Sequence, residues 1–159
     1  MTRLTTGADS LHVNGMSDWV RRGEMGVRDG FRWSPDGTRI AYWHFDMTGV
    51  HLPADQRHRF ALPGRHPDPV SRVGTTNSAV TARGCADGGA TTWLQIPGDP
   101  RENYLPYLEW VGAGELLAQR INRLQNSNQV TLIDATNRHP RIVFTERDAA
   151  WLDQVDDVP

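Results

Sequence analysis

The chain has 159 residues, of which 38% are hydrophobic, enough to bury a core. Seventeen basic and nineteen acidic side chains leave a formal net charge of -2, and neither sign collects in a long block, so nothing argues for a nucleic-acid or charged-membrane partner. The single cysteine, Cys85, excludes an intrachain disulfide and a thiolate cluster for zinc.

No apolar run approaches the roughly 18 residues of a spanning helix, and residues 1–18 are polar with no signal-peptide core. This predicts a chain with no membrane segment and leaves its compartment open. Fifteen glycines, ten prolines and six tryptophans place turn formers at short intervals between aromatic runs. That pattern suits many short strands and predicts an all-β fold.

In chain order, the first regular segment is residues 31–46. Its centre, Ser34-Pro35-Asp36-Gly37, is a turn: Pro35 presets φ, Asp36 caps nearby backbone and Gly37 tolerates positive φ. On the return strand Ile40, Tyr42 and His44 share one face, and Ala41, Trp43 and Phe45 the other. Both faces are largely apolar, as for a strand held between neighbouring sheets. Residues 50–83 read as a long irregular insertion, and residues 90–96 supply a last strand. A second hairpin follows at 108–119, where an offset of 77 matches Trp33 with Trp110, Gly37 with Gly114 and Ala41 with Ala118. Strand-like runs at 129–135 and 141–145 complete a second set of four.

These elements predict about two antiparallel four-stranded blades of an incomplete β-propeller, near 27–97 and 104–146. The competing architecture is an antiparallel sandwich with two similar hairpins. Two blades cannot close a ring, so the propeller reading also expects an incomplete chain.

Several motifs give the chain a family resemblance: Ser17-Asp18-Trp19-Val20, Gly74-Thr75-Thr76-Asn77, Ile96-Pro97-Gly98-Asp99, Arg120-x-Asn122-Arg123-x-Gln125-Asn126, and Thr145-Glu146 with Trp151. It resembles the N-terminal β-propeller domain of dipeptidyl peptidase IV-like serine peptidases, of the prolyl oligopeptidase superfamily, over nearly its whole length. The resemblance implies an eight-bladed propeller that gates the site and holds the substrate's N-terminus. It also implies a C-terminal α/β-hydrolase domain, absent from this chain, that carries a Ser, Asp and His triad and releases dipeptides. The chain contains no Gly-x-Ser-x-Gly nucleophile elbow. It is therefore expected to have no catalytic residue and no activity alone. His44, His51, His58, His66 and His139 read as packed or solvated imidazoles rather than general bases.

In the family, a Tyr-Glu-Glu-Glu run after Asp-Trp-Val grips the substrate's α-ammonium with two carboxylates. The matching positions here are Arg21, Arg22, Gly23 and Glu24. Glu24 alone carries over as a substrate-binding residue, with arginine beside it. The family segment whose arginine contacts the substrate carbonyl is replaced within 51–73. Plausible GC-rich codons for that segment, read one base out of phase, give residues 56–71 of this chain. A frameshifted insertion is the expectation there, with shorter slips at 21–23 and 82–85. His58, Arg59, Arg65 and His66 are the competing basic loop, but only Phe60 accompanies them as a stacking aromatic, which disfavours nucleic acid. Asp153, Asp156 and Asp157 read as a solvated acidic tail. No metal or cofactor is expected. The partners implied are a peptide N-terminus in the intact family, a separately encoded hydrolase domain, or further copies of the chain. In that last case the chain is a non-enzymatic binding propeller completed by self-association.

Overall fold

A computed structural model describes residues 3–18, 22–23, 25–51, 69–86 and 91–153. All of its regular elements are strands, and they form two antiparallel sheets. The first sheet contains β1 (His12–Asn14), β2 (Phe31–Trp33), β3 (Arg39–Asp46), β4 (Ala79–Ala86) and β5 (Thr92–Trp93). The second is a meander of β6 (Asn103–Val111), β7 (Glu115–Asn122), β8 (Ser127–Asp134) and β9 (Pro140–Arg147), paired in chain order. Two stacked, open sheets of this kind are a partial β-propeller. Among the described residues no helix is long and apolar enough to cross a membrane.

The first sheet has five strands rather than four because its first position is split. β1 pairs with the far end of β3, His12 opposite Asp46, and β2 with the near end, Phe31 opposite Tyr42. Trp43 bridges the break with its backbone: its carbonyl accepts from the Gly15 amide at 3.0 Å, and its amide donates to the Gly30 carbonyl at 3.0 Å. The hydrogen-bond ladder along β3 stays continuous although the chain beside it departs for residues 16–29. The sheet also reaches into two stretches that carried no strand expectation, residues 12–14 and the 79–83 part of the supposed irregular insertion. β4 crosses positions 82–85 in unbroken register with β3, Ala82 opposite Trp43 and Gly84 opposite Ala41. Small residues at these positions weaken the strand signal in the sequence, yet they suit the space left beside a buried tryptophan.

The core lies between the sheets. Ala41, Trp43, Phe45, Val80, Ala82 and Leu94 of the first face Leu105, Leu108, Trp110, Leu116, Ala118 and Ile133 of the second. Two indoles lock the stack in both directions. Trp43 Nε1 donates to the Leu105 carbonyl at 2.8 Å, and Trp110 Nε1 donates to the Arg32 carbonyl at 3.0 Å. The Arg32 and Arg39 guanidinium groups lie 5.3 Å from the Trp43 ring and 5.1 Å from the Trp110 ring, so each indole also carries a cation on its face.

The 77-residue repeat holds only in part. Trp33 pairs with Ile40, whereas Trp110 pairs with Leu116, so the second hairpin is one residue shorter. A one-residue change exchanges the faces of everything that follows. Ala41 consequently faces the second sheet while Ala118 faces the first, and positive φ falls on Gly37 and Gly112 rather than on Gly114. The two tryptophans are true equivalents; the glycine and alanine pairs are not.

The first hairpin turn follows its sequence logic. Gly37 N donates to Ser34 O at 2.8 Å, and Asp36 Oδ1 accepts from the Ser34 hydroxyl and from the Thr38 amide and hydroxyl. These bonds, the Ser34 hydroxyl first, hold the Asp36 carboxyl down at about 2. A carboxylate lowered on folding contributes stability above its unfolded value and loses it as pH falls through the folded one. Asp36→Asn is therefore expected to flatten the acid limb of a stability-pH curve between about pH 4 and 2. Thermal melts across that range measure it, and parallel curves for the two proteins would refute it.

Candidate functional site

The candidate site is the excursion between the two halves of the split strand. It leaves at Gly15 and returns at Gly30, and the two glycines touch: a side chain on Gly30 would meet Gly15 C and Met16 N at 2.5 Å. Ser17 and Asp18 are buried at its start, and Met25 and Val27 drop back into the core between the sheets. Between these anchors, Arg22 N donates to Asp18 O at 3.1 Å and its guanidinium to Ser17 O at 3.2 Å. The excursion is thus pinned at both ends, with an exposed Arg22 and Gly23 between. Glu24, the one substrate-binding residue expected from sequence, lies outside the described residues, as do Arg21 and the stretch 52–68 with His58, Arg59, Arg65 and His66.

The other candidate groups have structural employment. Burial, with Arg83 and His12 nearby, pushes His44 down to about 4, and its Nδ1 meets Asn14 Oδ1 at 2.7 Å. His139 is exposed in the β8–β9 turn. The Ser34 hydroxyl is committed to its turn, and Ser71 Oγ donates to Asn77 Oδ1 at 2.7 Å. Asp153 is exposed near the C-terminal end, and Asp156 and Asp157 lie outside the described residues. No group of three or more His, Cys, Asp or Glu among the described residues is arranged to hold a metal. Among the tryptophans, Trp110 is buried whereas Trp93 and Trp151 are half exposed.

Motifs far apart in sequence converge elsewhere, on the loops joining the strands. Asn122 Oδ1 accepts from the Asn126 and Ser127 amides, which closes the β7–β8 turn with Gln125 at φ 53. Arg123 donates to Thr75 O and pairs with Glu102 at 3.2 Å. Arg120 donates to Pro97 O at 2.7 Å and packs on Gly98, whose φ of 94 and contact with the guanidinium admit no side chain. Arg101 joins Asp46 at 2.9 Å and donates to Asn77 O at 2.9 Å. Burial would raise the Asp46 carboxyl, but the Thr48 hydroxyl and amide, Arg101 and His12 together hold it below its ordinary value. Sequence reading found these motifs by resemblance and missed their common role, since nothing in their spacing shows that three arginine-to-carbonyl bonds tie one set of loops together.

Over residues 1–159 the chain matches the family described as the dipeptidyl peptidase IV (DPP IV) N-terminal region. It belongs to that family. The DPP IV N-terminal region here is 28% identical to venom dipeptidyl peptidase 4 of Apis mellifera over 94% of the chain, and 27% identical to inactive dipeptidyl peptidase 10 of Mus musculus over 99%. It covers 21% of each of those proteins. The fold matches a crystal structure of Porphyromonas gingivalis dipeptidyl peptidase 4 with a TM-score of 0.77 and 23% identity, over 94% of this chain and 22% of that one. The chain therefore spans about a fifth of the length of the relatives it matches. One of these relatives is named as inactive, so DPP IV N-terminal ancestry does not by itself carry activity.

Proposed function

We propose that the chain forms two adjacent blades of the propeller of a dipeptidyl peptidase IV-like serine exopeptidase, and that it serves proteolysis by holding the substrate's N-terminus rather than by performing chemistry. The observation that supports this is the excursion between Gly15 and Gly30, anchored by Ser17, Asp18, Met25 and Val27, within whose sequence the segment aligned with the family's carboxylate run falls. A carboxylate held there meets an α-ammonium through a charge-assisted hydrogen bond. Glu24 is assigned that role. With Arg22 two positions away in place of a second carboxylate, its attraction for a cation is reduced. The triad chemistry belongs to a hydrolase domain, encoded in the same protein or separately.

The chain alone is expected to release no p-nitroaniline from a Gly-Pro anilide. Turnover abolished by a serine-directed inhibitor would overturn this reading. Genomic sequence across codons 50–74 tests the frameshift reading: an intact, in-frame gene with unambiguous reads would remove it.

A further inference from the structure

β6 and β7 do not pair evenly. Tyr104 stands opposite Ile121 and Tyr107 opposite Gln119, so three steps along β6 answer two along β7, and one extra residue is inserted at Leu105-Pro106. This is a β-bulge, and it suits a proline, because a bulged position owes no amide to the ladder. The insertion also decides faces. Leu105 and Leu108 are three apart, which in a regular strand puts them on opposite faces. Here both are 1% exposed, and both belong to the core between the sheets.

The bulge lies where the first sheet is split. The Leu105 carbonyl accepts the Trp43 indole hydrogen at 2.8 Å. Trp43 is also the residue whose main chain holds both ends of the excursion, the Gly15 amide and the Gly30 carbonyl, at 3.0 Å each. Met25 and Val27, the anchors of the returning arm, join the same core cluster as Leu105. Stacking the sheets needs no such irregularity: farther along β6, Trp110 sits in regular register opposite Leu116 and makes the reciprocal bond to the Arg32 carbonyl. The extra residue therefore serves the junction rather than the stack as a whole.

We propose that the β6 bulge is a positioning element of the candidate site: Leu105 and Pro106, on one blade, fix where the excursion of the neighbouring blade stands. This deepens, and rests on, the reading of the excursion as the segment that holds a substrate's N-terminus. Leu105 acts through Trp43 and touches no substrate. Holding a ligand group to within about 0.5 Å takes a rigid support, and the indole-to-carbonyl bond extends that support from β3 to β6.

Trp43→Phe and Trp110→Phe each delete one indole-to-carbonyl bond between the sheets and keep most of the ring volume, and amide hydrogen exchange of the full chain separates them. With the β7 amides as internal reference, Trp43→Phe is expected to speed exchange at the Gly15 and Arg22 amides about fivefold, the factor for one hydrogen bond, and Trp110→Phe to leave the ratio unchanged. Equal acceleration in both variants, or none in either, overturns the proposal. Should Trp43→Phe lose its cooperative melt, β-(3-benzothienyl)alanine at position 43 takes its place, since it keeps the shape of the indole without its donor. Gly-Pro amide with a free α-amino group, titrated by NMR beside its N-acetyl form, gives the second readout. The wild type is expected to prefer the free amine, Trp43→Phe to lose about fivefold in affinity for it, and Trp110→Phe to match the wild type. A preference that Trp43→Phe retains in full overturns the positioning role. A wild type with no preference removes the substrate-holding reading itself, and the exchange ratio then decides separately whether the bulge sets the excursion.

Discussion

Trp43→Ala is expected to cost about 3–5 kcal/mol of folding stability, the range for emptying a large aromatic site in a packed core. In a domain of this size that lowers the melting midpoint by about 6–20 °C. Trp43 is wholly buried on the face of β3 that meets the second sheet, and its indole reaches the Leu105 carbonyl across the gap. The substitution removes both the filling and the donor. Trp43→Phe separates the two: it keeps much of the volume, loses the hydrogen bond, and is expected to cost about 1–3 kcal/mol. Thermal and denaturant melts of the two variants beside the wild type check the order. An unchanged midpoint for Trp43→Ala would mean that the two sheets are not stacked through this residue.

Gly30→Ala should be almost as damaging, by a different route. Its new carbon would lie 2.5 Å from backbone atoms of Gly15 and Met16. Backbone cannot rotate aside as a side chain can, so one of the two bonds to Trp43 must yield. A loss of about 3 kcal/mol is expected, at the upper end of overpacking costs, with faster hydrogen exchange at the Gly15 and Trp43 amides. Gly26→Ala is the control. Gly26 has positive φ, 64, but open space around it, and its substitution is expected to cost only about 1 kcal/mol. Equal losses for the two variants would show that the junction of the split strand is not closely packed.

The fold class was legible because the strongest signals were local. The alternating apolar residues of β3 and the Pro-Asp-Gly turn act over a few residues, and both faces of β3 are covered as their composition implies. The family was legible through polar motifs, and the structure shows why they are distinctive: Asn122 closes its turn by accepting from two backbone amides, and Arg120 and Arg123 each donate to a backbone carbonyl of another loop. What was not legible depended on distant partners. β1 is three residues long and gains its place only by pairing with the end of β3. β4 carries Ala82 opposite Trp43 and Gly84 opposite Ala41, small residues with a weak strand signal, so the strand looked like an irregular loop. The one-residue shortening of the second hairpin was hidden because an offset can align letters without aligning faces. At the candidate site, the two anchoring pairs, Ser17 with Asp18 and Met25 with Val27, could not be separated by sequence from ordinary loop residues.

The split strand also makes a point about how such a domain can diversify. Because Gly15 and Gly30 hand the ladder from one segment to the other across Trp43, the sheet needs the two glycines adjacent and asks only for anchors from the residues between them. The junction is a graft point. A peptide of another sequence and length could be exchanged between the anchors Asp18 and Met25, with its own cargo of charges, while the register of β3 and the packing beneath it stay as they are.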